Sequence, residues 1–560
     1  MKTGKQYIGP VYQATIILLL TFIAYSPVLN NGFTNWDDPL YVTENPLIRT
    51  FNFHHFQLWF TQPFQGLYQP LILASLAIDY SFHGLNPYYF HLTNLILHLA
   101  NTLLVFIFIR KLFKNRISAL LVALLFGLHP IHVESVAWIT ERKDVLYTFF
   151  FLIALIFYLN FRQSEKRKYY ALTMLFFILA LISKVSAVVL PLLLILIDYY
   201  HGRKLFGRKV IIEKIPLLIL ALLFGLGNIY FHRDFGSLAN YSNLSIPMRL
   251  LLASKGLMYY LYKTIWPNTL AVYNPLPLSI STAIIVECLI HFLVYVTAII
   301  LLLKLKSRTL IFGALFFLAA ILFFLIPPGE PVLASERYAY VSSIGLFVII
   351  VYLMNKMRQL PKNSAGQFLI YTVFTIWLGF LGLKTHNQAK VWKSSFSLWD
   401  HVIEVRGESF LALLQRGNIY TEVGEYEKAI NDYSRSIEIH PAYYKTYDQF
   451  GHVQLLRGNY DASIKAYTKS LELNPDGEYA HLSLGFTYRQ TGDLELAMNH
   501  LNKALRLNPV NPEIYYNRGK IYLEQGQNEN ACADFRNALK IGLTGKNQLE
   551  TLDFVNSLCK

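Results

Sequence analysis

Through its first 390 residues the chain sets long apolar blocks between short polar breaks, and beyond Ser409 the pattern changes to amphipathic helices. An apolar run of about 20 residues spans a bilayer as a helix. About eleven such runs are predicted, at 11–29, 89–109, 117–138, 145–160, 169–183, 185–199, 215–231, 281–303, 309–326, 339–355 and 367–383. The first two are separated by a loop of about 30–88, which holds two shorter aromatic-rich helical patterns, Phe51–Phe60 and Tyr68–Phe82, predicted to lie in the membrane interface. A second long loop, about 232–280, contains 248–266 (MRLLLASKGLMYYLYKTIW), read as an interfacial or re-entrant helix.

Beyond Ser409 a period of 34 residues governs the chain. Gly417, Gly451, Gly485 and Gly519 mark it, as do Gly424, Gly458, Gly492 and Gly526, and again Pro441, Pro475 and Pro509. Small residues recur with it at Ala429, Ser463, Ala497 and Ala531, where paired helices must approach closely. This is the tetratricopeptide signature, and it predicts four helix-turn-helix units stacked into a short solenoid. The predicted fold class is therefore all-α: a polytopic membrane domain over 1–390, a linker at 391–408, four repeats over 409–542, and a helical cap or tail at 543–560.

Composition agrees with lipid as the solvent, since 54% of residues are hydrophobic and only 15% charged. The net charge of +15 comes mainly from basic runs between apolar blocks, such as Arg110-Lys111-Lys114-Arg116, Arg203-Lys204-Arg208-Lys209-Lys214 and Lys356-Arg358-Lys362. By the positive-inside rule these loops and the N-terminus are cytoplasmic, and an odd number of spans then places the repeats outside. The run Val11–Leu29 follows Lys2 and Lys5 without a cleavage site and reads as a retained signal-anchor. No basic patch interleaved with aromatics stands outside the loops, which argues against nucleic acid as a partner. Cys288, Cys532 and Cys559 show no CxxC or His–Cys spacing, which argues against a disulfide framework or a zinc site.

Ionisable residues gather at the predicted external ends of the spans, where charge is costly and marks a substrate path or a pair. Asp37 and Asp38 follow Trp36 in NNGFTNWDDPLYVTENPLIR, just after the first span. Paired acids there suit a general base or a metal ligand, although a turn with capping side chains has the same sequence. After the third span come His129, His132 and Glu134, then Glu141-Arg142-Lys143-Asp144; Lys184 lies between the fifth and sixth, and Pro327-Pro328-Gly329-Glu330 and Glu336-Arg337-Tyr338 follow the ninth. Carboxylates combined with Arg142, Lys143, Lys184 and Arg337 suit an anionic lipid-linked substrate, the cations holding phosphate while an acid takes a proton from an acceptor hydroxyl. The bland alternative pairs Glu141 with Lys143 and Glu336 with Arg337, without chemistry. Pro130 interrupts the His129/His132 spacing, so hydrogen bonding is the preferred reading of that pair over a metal site. His91 and His98 read as structural.

The runs WDDPLYVTENP, YQPLILASLAIDYSFHGLNPYYFHLTNLILH, HPIHVESVAWITERKDVL, SKVSAVVLP and SERYAYVSSIGLF resemble the membrane domain of bacterial tetratricopeptide-repeat glycosyltransferase-like proteins, relatives of the eukaryotic transmembrane-and-tetratricopeptide-repeat O-mannosyltransferases. The resemblance implies a GT-C glycosyltransferase that moves a sugar, with mannose one candidate, from a polyprenyl-phosphate donor to an acceptor on the extracytoplasmic side of a bacterial inner membrane. It implies an essential acid in the first external loop, at Asp37 or Asp38. It carries over Glu134, Arg142 and Asp144 from a second motif region, and Glu336 with Arg337 from an acidic-Arg-Tyr element. Some relatives have a basic residue where Gln69 stands, and the position of Val185 varies among them, so donor contacts there are open. A divalent metal is also left open, since relatives differ. The expected partners are the lipid-linked donor, membrane lipids and a protein acceptor presented by the repeats. The rival class is a non-catalytic membrane scaffold that uses the repeats to dock proteins.

Overall fold

The computed structural model describes residues 9–234, 245–277, 281–325, 332–360 and 363–559. Glu330 with its Pro-Pro-Gly run, Lys362 and part of the 232–280 loop lie outside the described residues. The chain divides into two compact units, Met1–Arg406 and Gly407–Lys560.

In the first unit each predicted apolar run overlaps a helix among the described residues. Seven described helices are long and apolar enough to cross a membrane: Pro10–Asn30, Pro87–Phe113, Ile139–Ser164, Arg208–Phe231, Thr282–Leu305, Glu336–Arg358 and Ser364–Val391. An eighth arises if Arg116–Leu128 and Pro130–Ala137, bent by 53°, count as one broken span. The bend has a local cause: His129 is extended (φ −82°, ψ 125°) ahead of Pro130, which cannot continue the preceding helix. Seven or eight is fewer than about eleven because Arg167–Leu181, Val185–Tyr200 and Arg308–Phe324 are short by that measure. Helix boundaries follow capping chemistry. Asn86 accepts from Tyr88 N and Asn115 from Ser118 N, each just ahead of its helix. The Arg308–Ile321 and Ala339–Arg358 helices touch through glycine, where a Cβ on Gly345 would come within 2.3 Å of the Gly313 carbonyl oxygen.

The first long loop is a packed cap. Its helices, Phe53–Thr61 and Pro70–His83, close over a core in which Tyr41, Val42, Trp59, Ile72 and Leu76 meet Phe90 and Ile139. The helix in 248–266 runs from Ile246 to Ile265 and buries Tyr260 against Phe317, Ile321 and Ala339. The stretch 391–408, read as a linker, carries a helix, Ser395–Arg406, whose Leu398, Trp399 and Val402 are buried, and the unit boundary falls just after it. The expectation missed this helix because its apolar positions are few and spaced among polar ones.

The second unit pairs Phe410–Glu422 with Tyr426–Ile439, Tyr444–Leu456 with Tyr460–Leu473, Glu478–Thr491 with Leu494–Leu507, and Pro512–Glu524 with Asn528–Ile541. The helix Gly545–Leu558 caps the end. The period is a packing rule: a Cβ on Gly417 would lie 2.5 Å from the Tyr433 ring, and one on Gly519 2.7 Å from the Phe535 ring. The cysteines depart from the expectation of no disulfide framework. Cys532 and Cys559 form a disulfide with Cα atoms 5.5 Å apart. Their spacing of 27 residues matches no motif, because a turn between two antiparallel helices brings them together.

Candidate active site

The two adjacent acids have opposite environments. Asp38 is buried, and its carboxylate accepts four hydrogen bonds: from Thr140 N and Oγ1 at 3.1 and 2.6 Å, and from Thr34 N and Oγ1 at 2.9 and 3.1 Å. Burial pushes its carboxyl up to about 6 against the pull of those donors. Asp37 has 38% of its side chain exposed, with Oδ2 3.8 Å from Lys143 Nζ. The chain turns into Pro39–Thr43 directly after the pair, so neighbouring side chains diverge. Trp36 lies against Trp399 and Trp138, with ring centroids 4.9 and 6.3 Å away, which fixes the loop from behind.

Lys143 belongs to a buried network drawn from four chain segments. Glu141 is its hub: Oε1 lies 3.5 Å from Lys143 Nζ and 3.6 Å from Arg337 Nε, and Oε2 lies 3.4 Å from Lys184 Nζ. Lys184 also binds Asp144 Oδ1 at 2.6 Å, while Ser135 donates to the other Asp144 oxygen at 3.1 Å. Arg337 donates through Nη1 to Glu134 Oε1 at 2.6 Å and through its backbone N–H to Oε2 at 3.2 Å. Its guanidinium also lies over the Trp138 ring at 5.5 Å. Lys184 reaches the network because it is extended between the Arg167–Leu181 helix and the turn at Val185–Val189. Lys143 lacks a 2.6 Å partner of the kind that Lys184 and Arg337 have; besides Glu141 at 3.5 Å, its ammonium stands over the Tyr41 ring at 4.6 Å. Three cations and four carboxylates are thus held together at one end of a helical bundle. Such a cluster carries a desolvation cost that packing alone does not require.

Other candidates stand elsewhere. Arg142 is fully buried and spends its donors on Asp79 at 2.7 Å, Ser75 at 2.7 Å, the Phe90 carbonyl at 2.8 Å and Asn94. It anchors the Pro70–His83 helix to the bundle instead of joining the cations. Glu336 accepts from Tyr259 and from Ala271 N at 3.1 Å, while Arg337 beside it turns to Glu134 and Glu141. His129 contacts the Thr264 carbonyl at 3.0 Å, and His132 contacts the Phe126 carbonyl and Ser343 at 2.8 Å each. Among the described residues no group of three or more His, Cys, Asp and Glu is arranged to hold a metal. Beside Lys184 an apolar cavity of about 230 Å³ is lined by Tyr68, Leu181, Val185, Leu223, Phe224 and Phe231. Next to Tyr68, the buried Gln69 amide oxygen has no hydrogen-bond partner.

Residues 76–230 match the family described as dolichyl-phosphate-mannose-protein mannosyltransferase. Tetratricopeptide families match 410–443, 451–491, 485–526 and 512–541. The human protein O-mannosyl-transferase TMTC1 is 34% identical over 162 residues, covering 27% of this chain and 18% of that protein. The Caenorhabditis elegans protein O-mannosyl-transferase F38B6.6 is 23% identical over 461 residues, covering 76% of this chain and 63% of its own. The chain thus joins a segment similar to the mannosyltransferase family to tetratricopeptide repeats. Its matches span less than two thirds of these relatives' lengths. A solved tetratricopeptide protein of Thermus thermophilus, TTC0263, aligns at 18% identity with a TM-score of 0.27, covering 32% of this chain and 95% of its own.

The mannosyltransferase match contains Glu134, Glu141, Lys143, Asp144 and Lys184, whereas Asp37, Asp38 and Arg337 lie outside it and reach the cluster through the fold. The central place of Glu141 is not legible in the sequence, where it is one of the clustered acids with Lys143 as its local alternative partner. Sequence reasoning also missed Thr34 and Thr140 as the clamps on Asp38. Thr140 stands next to Glu141 at the same helix entrance, but no one-dimensional spacing links it to position 38.

Proposed function

We propose that this protein is a membrane glycosyltransferase that moves a sugar, with mannose the first candidate, from a polyprenyl-phosphate carrier to a hydroxyl of a protein acceptor on the extracytoplasmic face. The observation carrying this reading is the partly exposed Asp37 carboxylate beside Lys143, at the edge of a buried cation cluster whose Lys143 and Lys184 lie in the mannosyltransferase-like segment. Asp37 takes the proton of the acceptor hydroxyl as that oxygen attacks the anomeric carbon and the bond to the carrier phosphate breaks. Lys143 stands 3.8 Å from Asp37 and, with Lys184 and Arg337, faces the charge that develops on the departing phosphate. Asp38 positions the loop. The apolar cavity at Tyr68, Val185 and Phe224 suits the first isoprene units of the carrier. The repeats present the acceptor. The closed pairs Lys184–Asp144 and Arg337–Glu134 favour the rival scaffold reading, since a clamp on phosphate must loosen them. The deciding experiment is mass spectrometry of envelope proteins from cells carrying wild-type or Asp37→Asn protein. Loss of a hexose from specific serines or threonines in the variant supports transfer. Identical glycans in cells with and without the protein overturn it.

A further inference from the structure

The opposite end of the membrane unit carries a second basic site. The Ala339–Arg358 helix starts beside Arg337 and has 20 residues, so its last turn lies about 30 Å away along the axis, a bilayer's hydrocarbon thickness. That last turn, with Lys356 and Arg358, borders a cavity of about 270 Å³ whose other polar lining includes Asn115, Ser118, Thr309 and Tyr352. The Asn355 amide donates to Ser118 Oγ at 3.2 Å across the same space. Among the residues lining the cavity there is no carboxylate. Arg358 Nε is buried without a hydrogen-bond partner, and its guanidinium lies over the Tyr371 ring at 5.4 Å.

Two helices start at this cavity, at Arg116 and Arg308, and three end there, at Phe113, Tyr200 and Arg358, so the backbone dipoles supply no net positive end and any attraction for an anion comes from the two side-chain cations. Two cations among amide and hydroxyl donors, with no acid in the lining, form a site for an anion that accepts several hydrogen bonds at once. Phe113 and Val351 give it an apolar floor, and Leu353 and Met357, 45% and 56% exposed, flank the cations on the same helix. A phosphate held here would keep attached acyl chains beside that apolar surface.

We propose that this cavity binds a phosphate group, supplied by the headgroup of an anionic phospholipid in the leaflet opposite to Asp37. The inference does not rest on the glycosyl-transfer reading. A free phosphate has the same chemistry, and the two sources separate by competition.

The test is native mass spectrometry of the full chain in detergent, titrated with phosphatidylglycerol or phosphatidylcholine, with and without inorganic phosphate. Wild-type protein is expected to hold phosphatidylglycerol about tenfold more tightly than phosphatidylcholine. Lys356→Gln with Arg358→Gln should erase that preference, and Arg358→Lys should keep most of it. Ser118→Phe, which fills the cavity and leaves both cations, should erase it too and serves where the double variant does not fold. Displacement by inorganic phosphate assigns the site to soluble phosphate, and its failure to displace assigns it to the lipid. No preference in wild type, or an unchanged preference in both the double and the Ser118 variants, overturns the proposal.

Discussion

Replacing Asp37 and Asp38 separately with Asn distinguishes a working carboxylate from a bracing one. At Asp38 the new amide group must face either the Thr34 or the Thr140 backbone N–H, neither of which can turn away. An orphaned buried donor costs about 1–3 kcal/mol. The same change removes the cost of ionising a buried acid. With the Asp38 carboxyl raised from 3.8 to about 6, that cost is on the order of 3 kcal/mol above pH 6. The sign follows from proton binding: the folded carboxyl holds its proton at pH values where the unfolded one has lost it. Wild-type stability therefore rises as pH falls from about 6 to about 4, and Asp38→Asn should lack that rise. The two effects nearly offset at pH 7, while at pH 4 the variant should be weaker by about 1–3 kcal/mol. Hydrogen exchange of residues 34–45 between pH 4 and 7 reads this locally. Asp37→Asn should leave the profile alone, because a partly exposed pair at 3.8 Å is worth less than about 1 kcal/mol. It should instead lower transfer from a synthetic polyprenyl-phosphate mannose by about 10²- to 10⁴-fold. Parallel pH profiles for wild type and Asp38→Asn would refute the bracing role, and full transfer by both variants would remove the loop from catalysis.

Arg337→Ala should lose both turnover and about 3–5 kcal/mol of stability by stranding the buried Glu134, while Arg337→Lys keeps charge and part of each; equal behaviour in donor-turnover assays would make Arg337 purely structural. A single Cys at Gly458, in a variant lacking the native cysteines, should react with an impermeant thiol reagent in intact cells, and labelling only after lysis would put the repeats on the cytoplasmic side. Cys532→Ser should lower the thermal stability of the repeat unit by about 3–4 kcal/mol, the loop-closure value for the 27-residue separation. Added reductant should lower wild-type stability by the same amount and leave the variant unchanged; a wild type indifferent to reductant would remove the disulfide from the repeat unit's stability.

Much of the architecture is written in one dimension. Hydrophobic run length marks helices that lipid must solvate, and the 34-residue recurrence of Gly417, Gly424 and Pro441 marks paired helices, because both depend on spacing along the chain. The sequence also marks Asp37, Lys143, Lys184 and Arg337 as residues too costly to hold in an apolar domain without a purpose. It cannot assign their partners. Arg337 is adjacent to Glu336 yet pairs with Glu134, 203 positions away, because the turn at Glu336–Tyr338 points consecutive side chains in different directions. Arg142 and Lys143 part in the same way: on successive positions of a helix one enters the protein core beside Asp79 and the other turns toward Asp37. The four donors to Asp38 come half from its own loop and half from Thr140, and only the closed bundle brings them together. Spacing reveals which groups are present, and packing over distances of a hundred residues or more decides which carboxylate stays partly exposed and which one is hydrogen-bonded inside the loop.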